Sequence, residues 1–204
     1  MLFGLAKRMH RLGVQAPRTR RLAPVLADLV GPASSLLDVG AGDGEVARSV
    51  AELVGAQRVE GVDVLVQPHG QVPTRSYDGE HLPFEDGAFD VVLLSDVLHH
   101  VVSAEGVLCE ALRVATRAVV VKDHFAFGPV SRAMLLAMDL SANGFYDIGV
   151  LGNYLDPGAW HDLVRRVGGR VEKLVWPLHV HALPLRLVTR SELQFAARIE
   201  RTPS

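Results

Sequence analysis

The sequence predicts an α/β fold, a doubly wound and mostly parallel sheet of about seven strands, on three observations. The run Leu36 to Ala47 (LLDVGAGDGEVA) passes from an apolar strand through closely spaced glycines directly into a helical pattern. Strand-like and helix-like runs then alternate through Arg58 to Val64, Val91 to Ser95, Ser103 to Val114 and Val114 to Lys122. Polar residues collect where these strands end, which is the ligand-facing edge of an open parallel sheet. A chain of 204 residues, 49% hydrophobic and 22% charged, fits one domain (1–204) with a substantial core.

The N-terminal segment, residues 1–31, reads as helical. Residues 1–21 hold six basic and no acidic residues, although the net charge of the chain is −2. Leu2, Leu5, Met9 and Leu12 share a helical face, expected to lie over the domain, with weak contact to a membrane surface as the alternative. Leu22, Val25, Leu26, Leu29 and Val30 continue the helical spacing up to Gly31-Pro32, which ends it. The body that follows is acidic, a poor footprint for nucleic acid.

Leu36, Leu37 and Val39 suit a buried parallel strand, and Gly40, Gly42 and Gly44 let the backbone turn and approach a ligand. Glu45 opens a helix whose free N–H groups point at that ligand, expected to be a nucleotide or nucleoside. The dinucleotide fingerprint G-x-G-x-x-G requires its third glycine at position 45, where this chain has a carboxylate. Arg58 to Val64 reads as the second strand, and Asp63 at its end is placed to accept hydrogen bonds from two ribose hydroxyls. Residues 65–77, punctuated by Pro68, Gly70 and Pro73, read as loop.

Asp38, Gly40, Gly42 and Gly44 resemble the D-x-G-x-G-x-G signature of class I S-adenosylmethionine-dependent methyltransferases. The stretch from Asp78-Gly79 through Leu82-Pro83-Phe84 to Phe89-Asp90, leading into Val91 to Ser95, is similar to the same family, and the resemblance spans Leu36 to Trp176. It implies a Rossmann-like sheet with an antiparallel last strand and S-adenosylmethionine as cofactor. It also implies cofactor-binding roles for Asp38, Gly40, Gly42, Gly44, Asp63, Val64, Asp78, Gly79 and Ser95. In that match Asp78 accepts from the adenine amino group, which can only donate, and the Gly79 backbone lies beside the ring. The segment Asp96 to Val101 then lies beside the methionine part of the cofactor and lines the way to the acceptor.

Methyl transfer to an acidic hydroxyl or carbon needs a base, and His99, His100 and His124 are the candidates. No metal is expected, because adjacent side chains such as His99 and His100 rarely converge on one ion and no HExxH or companion spacing is present. Lys122-Asp123-His124 falls at the end of the fifth strand. The insert 124–156 is too long for a simple connection and is read as a substrate lid carrying a helix over Arg132 to Leu140. Met134, Met138, Asn143, Tyr146 and Asn153 are its candidate substrate contacts, with Asp139 a further polar group. Asp156-Pro157 starts a helix, Val171 to Trp176 a sixth strand, and Leu193 to Ile199 the last. His179 and His181 are expected on one strand face, in solvent or packing roles.

The acceptor is expected to be small and apolar or aromatic, methylated on oxygen or carbon. Ser95-Asp96-Val97-Leu98 stands where the family's nucleobase and amide N-methylating members carry an Asp- or Asn-Pro-Pro-Tyr motif. A single cysteine, Cys109, read as core, excludes an internal disulfide and a cysteine-cluster zinc site. No apolar run reaches a membrane span, and the protein is expected in the cytoplasm. The rivals are a non-catalytic S-adenosylmethionine-binding protein, a nicotinamide-dependent oxidoreductase and a methyltransferase of protein or RNA ends.

Overall fold

The computed structural model describes residues 11–143, 151–181, 186 and 189–202. A π-helical turn, Arg11–Gln15, leads into α1 (Ala16–Val30). The chain continues through β1 (Ser35–Val39), α2 (Glu45–Val54), β2 (Arg58–Asp63), β3 (Thr74–Ser76) and β4 (Phe89–Ser95). A 3-10 turn, Leu98–His100, precedes α3 (Ala104–Val114) and β5 (Ala115–His124). Then come α4 (Pro129–Asn143), α5 (Pro157–Arg166), β6 (Gly169–Val175) and β7 (Gln194–Arg201).

The strands form one seven-stranded sheet in the order β3-β2-β1-β4-β5-β7-β6. Pairing is parallel from β3 to β5, while β7 runs antiparallel to both β5 and β6. The doubly wound sheet with its antiparallel last strand agrees with the expected fold class.

Alternation along the strands divides the core between the two faces. Leu37, Val39, Val92, Leu94, Val119 and Val121 pack on one face with Val107, Leu108 and Ala111 of α3 and Trp160 and Leu163 of α5. Leu36, Val91, Leu93 and Val120 pack on the other with Leu22, Leu26 and Leu29 of α1 and Val50 of α2. Helices on both faces leave only the strand ends open, and the parallel connections direct the carboxyl ends of β1, β2, β4 and β5 to one edge.

Four local expectations are corrected. Residues 65–77 contain β3, three residues long, paired to β2 through Gly61, Val62 and Asp63. The fifth strand runs on past Lys122 to His124, with Asp123 and His124 buried. Cys109 is exposed, because it falls on the outer side of α3 whereas Leu108 and Leu112 face the sheet. His179 and His181 lie in no strand; this segment connects β6 to the turn Ser191–Leu193. The Asp156 cap agrees with expectation, its Oδ1 accepting from Gly158 N at 2.8 Å and Ala159 N at 2.9 Å.

Candidate functional site

The turn after β1 requires glycine at specific positions. Gly40, Gly42 and Gly44 have φ of 71°, 55° and 73°, the left-handed region that disfavours side chains. A Cβ on Gly40 would lie 2.7 Å from Val97 Cγ2, and one on Gly44 would lie 3.0 Å from the backbone nitrogen of Val72. The turn is tied to the neighbouring strand by Gly40 N–H donating to Val62 O at 2.8 Å. Asp63, at the end of β2, accepts from Gly42 N at 2.8 Å and from Leu65 N at 2.9 Å, so it also organises the turn.

Asp38 is buried in β1, and burial together with the charges of Asp63 and Asp43 pushes its carboxyl up to about 8. Asp78 is exposed and accepts from His81 N at 2.7 Å and Glu80 N at 2.8 Å, which lowers it to about 2. Val64 and Gly79 are neighbours, since a Cβ on Gly79 would sit 3.4 Å from Val64 Cγ1. Val64, Leu65 and Val66 form an exposed apolar shelf beside Asp63. Ser95 ends β4 opposite Lys122 of β5. Glycine backbone, carboxylate and apolar shelf thus share one edge of the sheet.

The chain beyond Ser95 builds a second, charged cluster. Asp96 has φ 59°, an unusual conformation for a residue with a side chain and one that concentrates at functional sites. Its backbone N–H donates to Lys122 O at 2.8 Å, and its carboxylate is bonded by Lys122 Nζ and the Arg18 guanidinium from α1. The turn that follows is sewn to β5, with Asp123 Oδ2 accepting from Leu98 N at 3.0 Å. His99 Nδ1–H donates to Asp123 Oδ1 at 2.6 Å, which leaves Nε2 facing the insert. His99 Nε2 is 3.3 Å from Asp139 Oδ2 of α4, and that carboxylate also accepts from the Tyr154 hydroxyl. The His99 ring stacks on Tyr154 with centroids 5.3 Å apart and lies 4.0 Å from the His100 centroid.

The charges in this cluster control one another. Burial disfavours a charged His99, but the Asp123 carboxylate prevails and raises it to about 10. Burial and the cationic His99 lower His100; burial and Lys122 lower His124. Burial alone would raise Asp96 and Asp123, yet Lys122 and Arg18 hold the first well below the usual carboxylate range, and His99 does the same for the second. Lys122 is itself lowered by burial.

The structure brings His99, His100 and His124 together at the ends of β4 and β5, with His99 and His124 buried and His100 half-buried. Met134 and Met138 are half-buried on α4. The Asn153 amide is committed elsewhere, because its Nδ2 donates to Val101 O at 2.9 Å and its backbone N–H to His99 O at 3.1 Å. Tyr146 and the Asn143 side chain lie outside the described residues. Sequence reasoning missed Arg18 as a partner of Asp96 and Tyr154 as a partner of Asp139. The partners of the first pair are 78 positions apart, and no periodicity joins them.

Against known proteins, the family profile described as methyltransferase domain matches residues 37–119. Solved structures share the fold across nearly the whole chain. A chain from the complex containing the Trm112 methyltransferase activator of Haloferax volcanii superposes with TM-score 0.69 at 13% identity, covering 98% of this chain and 96% of that one. An S-adenosylmethionine-dependent methyltransferase from Mesorhizobium loti gives 0.62 at 18% identity, with 87% and 96% covered. A geranyl diphosphate methyltransferase in complex with S-adenosylmethionine gives 0.66 at 15% identity, with 89% and 84% covered. No curated protein matches the sequence.

Proposed function

We propose that this class I S-adenosylmethionine-dependent methyltransferase methylates an oxygen or carbon of a small apolar or aromatic acceptor held beneath the 124–156 insert. The cofactor is S-adenosylmethionine, and its sulfonium methyl supplies the transferred group. The residues on the ligand edge fit it. Backbone at Gly40, Gly42 and Gly44 would lie against it, where a Cβ at Gly40 or Gly44 has no room. Asp63 retains lone pairs for ribose hydroxyls while holding the turn. Val64 and the Gly79 backbone would flank the adenine, with Asp78 reading its amino group, and Ser95 and Asp38 complete the cofactor-binding set.

The observation that carries the acceptor reading is the roof over the His99–His100 turn. Asp139 of α4 reaches His99, and Asn153 bonds the backbone at His99 and Val101. Of the three histidines only the half-buried His100 can meet an acceptor without the core opening. A hydroxyl or acidic C–H placed there must lose its proton during transfer. The chain's own contribution is otherwise alignment of the two reactants and exclusion of water, which supply much of the acceleration in an in-line displacement. Met134 and Met138 supply adaptable apolar walls. A cytoplasmic location goes with this reading; among the described residues no helix is long and apolar enough to cross a membrane.

The test is a screen of small phenols, quinols and enolisable carbonyl compounds for release of demethylated cofactor. Turnover of one of them, lowered by about 10²-fold or more in His100→Ala with cofactor affinity unchanged, is the expected result. Tight cofactor binding with no turnover of any acceptor would favour the non-catalytic rival.

A further inference from the structure

We propose that His99, His100 and Asp139 form a binding site for a divalent first-row transition ion at the floor of the acceptor pocket. One ligand atom from each of these residues lies within 4.8 Å of the others. Two histidine nitrogens and one carboxylate oxygen are a donor set that suits such ions, and three protein ligands leave positions open for another molecule.

The arrangement around His99 supports an ion. Nδ1–H is fixed on Asp123 at 2.6 Å, so an ion would displace the proton that the cationic ring carries on Nε2 and take that lone pair. A carboxylate on the far nitrogen is the partner that orients metal-bound histidines in general. Nε2 is buried and makes no hydrogen bond, although Asp139 Oδ2 is 3.3 Å away. The oxygen lies off the axis along which the ring nitrogen would donate. Two ligand atoms each about 2.1 Å from an ion, and separated by this distance, subtend roughly 100° at the ion, between octahedral and tetrahedral values. The two atoms, misaligned for a hydrogen bond, are therefore at the spacing of two ligands sharing a metal.

Asp139 is fixed as a metal carboxylate would be, by a hydrogen bond from the Tyr154 hydroxyl. His100, next in sequence, is brought alongside because the 3-10 turn places the two rings with centroids 4.0 Å apart. The sequence argues against a metal because adjacent histidines rarely converge and no companion spacing appears. The third ligand comes instead from the insert, 40 positions beyond His99, where no short motif could reveal it. With the ion bound, His100 would serve as a ligand in place of a base, and an acceptor oxygen in an open position would lose its proton more readily. This inference rests on the acceptor reading for its purpose, but binding of the ion is measured without cofactor or acceptor.

The experiment uses tag-free protein stripped with a chelator and titrated with Co²⁺ or Zn²⁺ alone, by calorimetry and, for Co²⁺, by visible absorption. One equivalent should bind, with ligand-field bands of a nitrogen- and oxygen-ligated ion. Asp139→Asn and His100→Ala should each weaken binding by about 100-fold or more, beyond the loss from removing an outer-shell partner. His161→Ala, at an exposed position of α5, should bind like the parent. Circular dichroism verifies that each variant is folded, and His100 is exposed enough for its truncation to leave the core intact. No stoichiometric binding by the folded parent, or binding unchanged in both ligand variants, would overturn the proposal. Either result would leave the methyl-transfer reading standing, since that depends on release of demethylated cofactor.

Discussion

Asp38 sits in β1 between the turn it precedes and the acidic residues that crowd it, and its raised carboxyl makes stability depend on pH. The folded state keeps a proton that the unfolded chain, near 3.8, gives up. The contribution is full below about pH 4, shrinks as pH rises and is gone above about 8. Asp38→Asn keeps the shape and cannot ionise. Melting curves from pH 4 to 9 should therefore show the parent losing ground to the variant up to about pH 8 and a constant gap beyond. A gap independent of pH would mean that Asp38 is charged in the fold. Gly44→Ala tests the turn itself, where left-handed backbone alone costs about 1–2 kcal/mol. The 3.0 Å approach to the Val72 backbone adds to this, so urea denaturation should show a loss above that range. Asp63→Ala should weaken cofactor binding by about 1.5–3 kcal/mol, the range for hydrogen bonds to a charged group. Because Asp63 also holds Gly42 and Leu65, unchanged affinity in a folded variant would assign it to the turn alone.

At the scale of elements, the insert is where sequence and structure part most. Its helix is visible in the spacing of Met134, Leu135 and Met138, but its attachment is not. Leu135 is fully buried with Ala126, Tyr154 and Leu193, so α4 is anchored to the body of the fold. Leu135→Ala should cost about 2–5 kcal/mol, read by chemical denaturation, as for other buried leucines. A change under about 1 kcal/mol would make the helix a loosely attached flap. The long alternating units, β1 to α2, β4, α3 and α5 with its Asp156 cap, were legible because periodicity and capping are local signals. β3 was not, being three residues in a stretch broken by prolines and glycine. The end of β5 was not, because Asp123 and His124 read as polar loop. The burial of Asp123 is compensated by His99, which approaches only in the folded chain. The glycine turn of the candidate site could be read from residues 38 to 45, whereas the charged cluster draws on α1, the Asp96 to His100 segment, β5 and α4.

For the molecule as a whole, the order β3-β2-β1-β4-β5-β7-β6 places the reversal of winding between the parallel neighbours β1 and β4. A crevice opens at such a point, with the glycine turn on one side and the Ser95 to His100 segment on the other. This geometry is shared by dinucleotide and S-adenosylmethionine sites, and what separates them is the turn. Glu45 stands where a pyrophosphate-binding turn needs glycine, and Asp63 is committed to that same turn through Gly42. Calorimetry of the purified protein against S-adenosylmethionine, its demethylated product and NAD is the most direct test. Binding of the first two at one site per chain, with no heat from NAD, is the predicted result; tight NAD binding with none of S-adenosylmethionine would contradict the account.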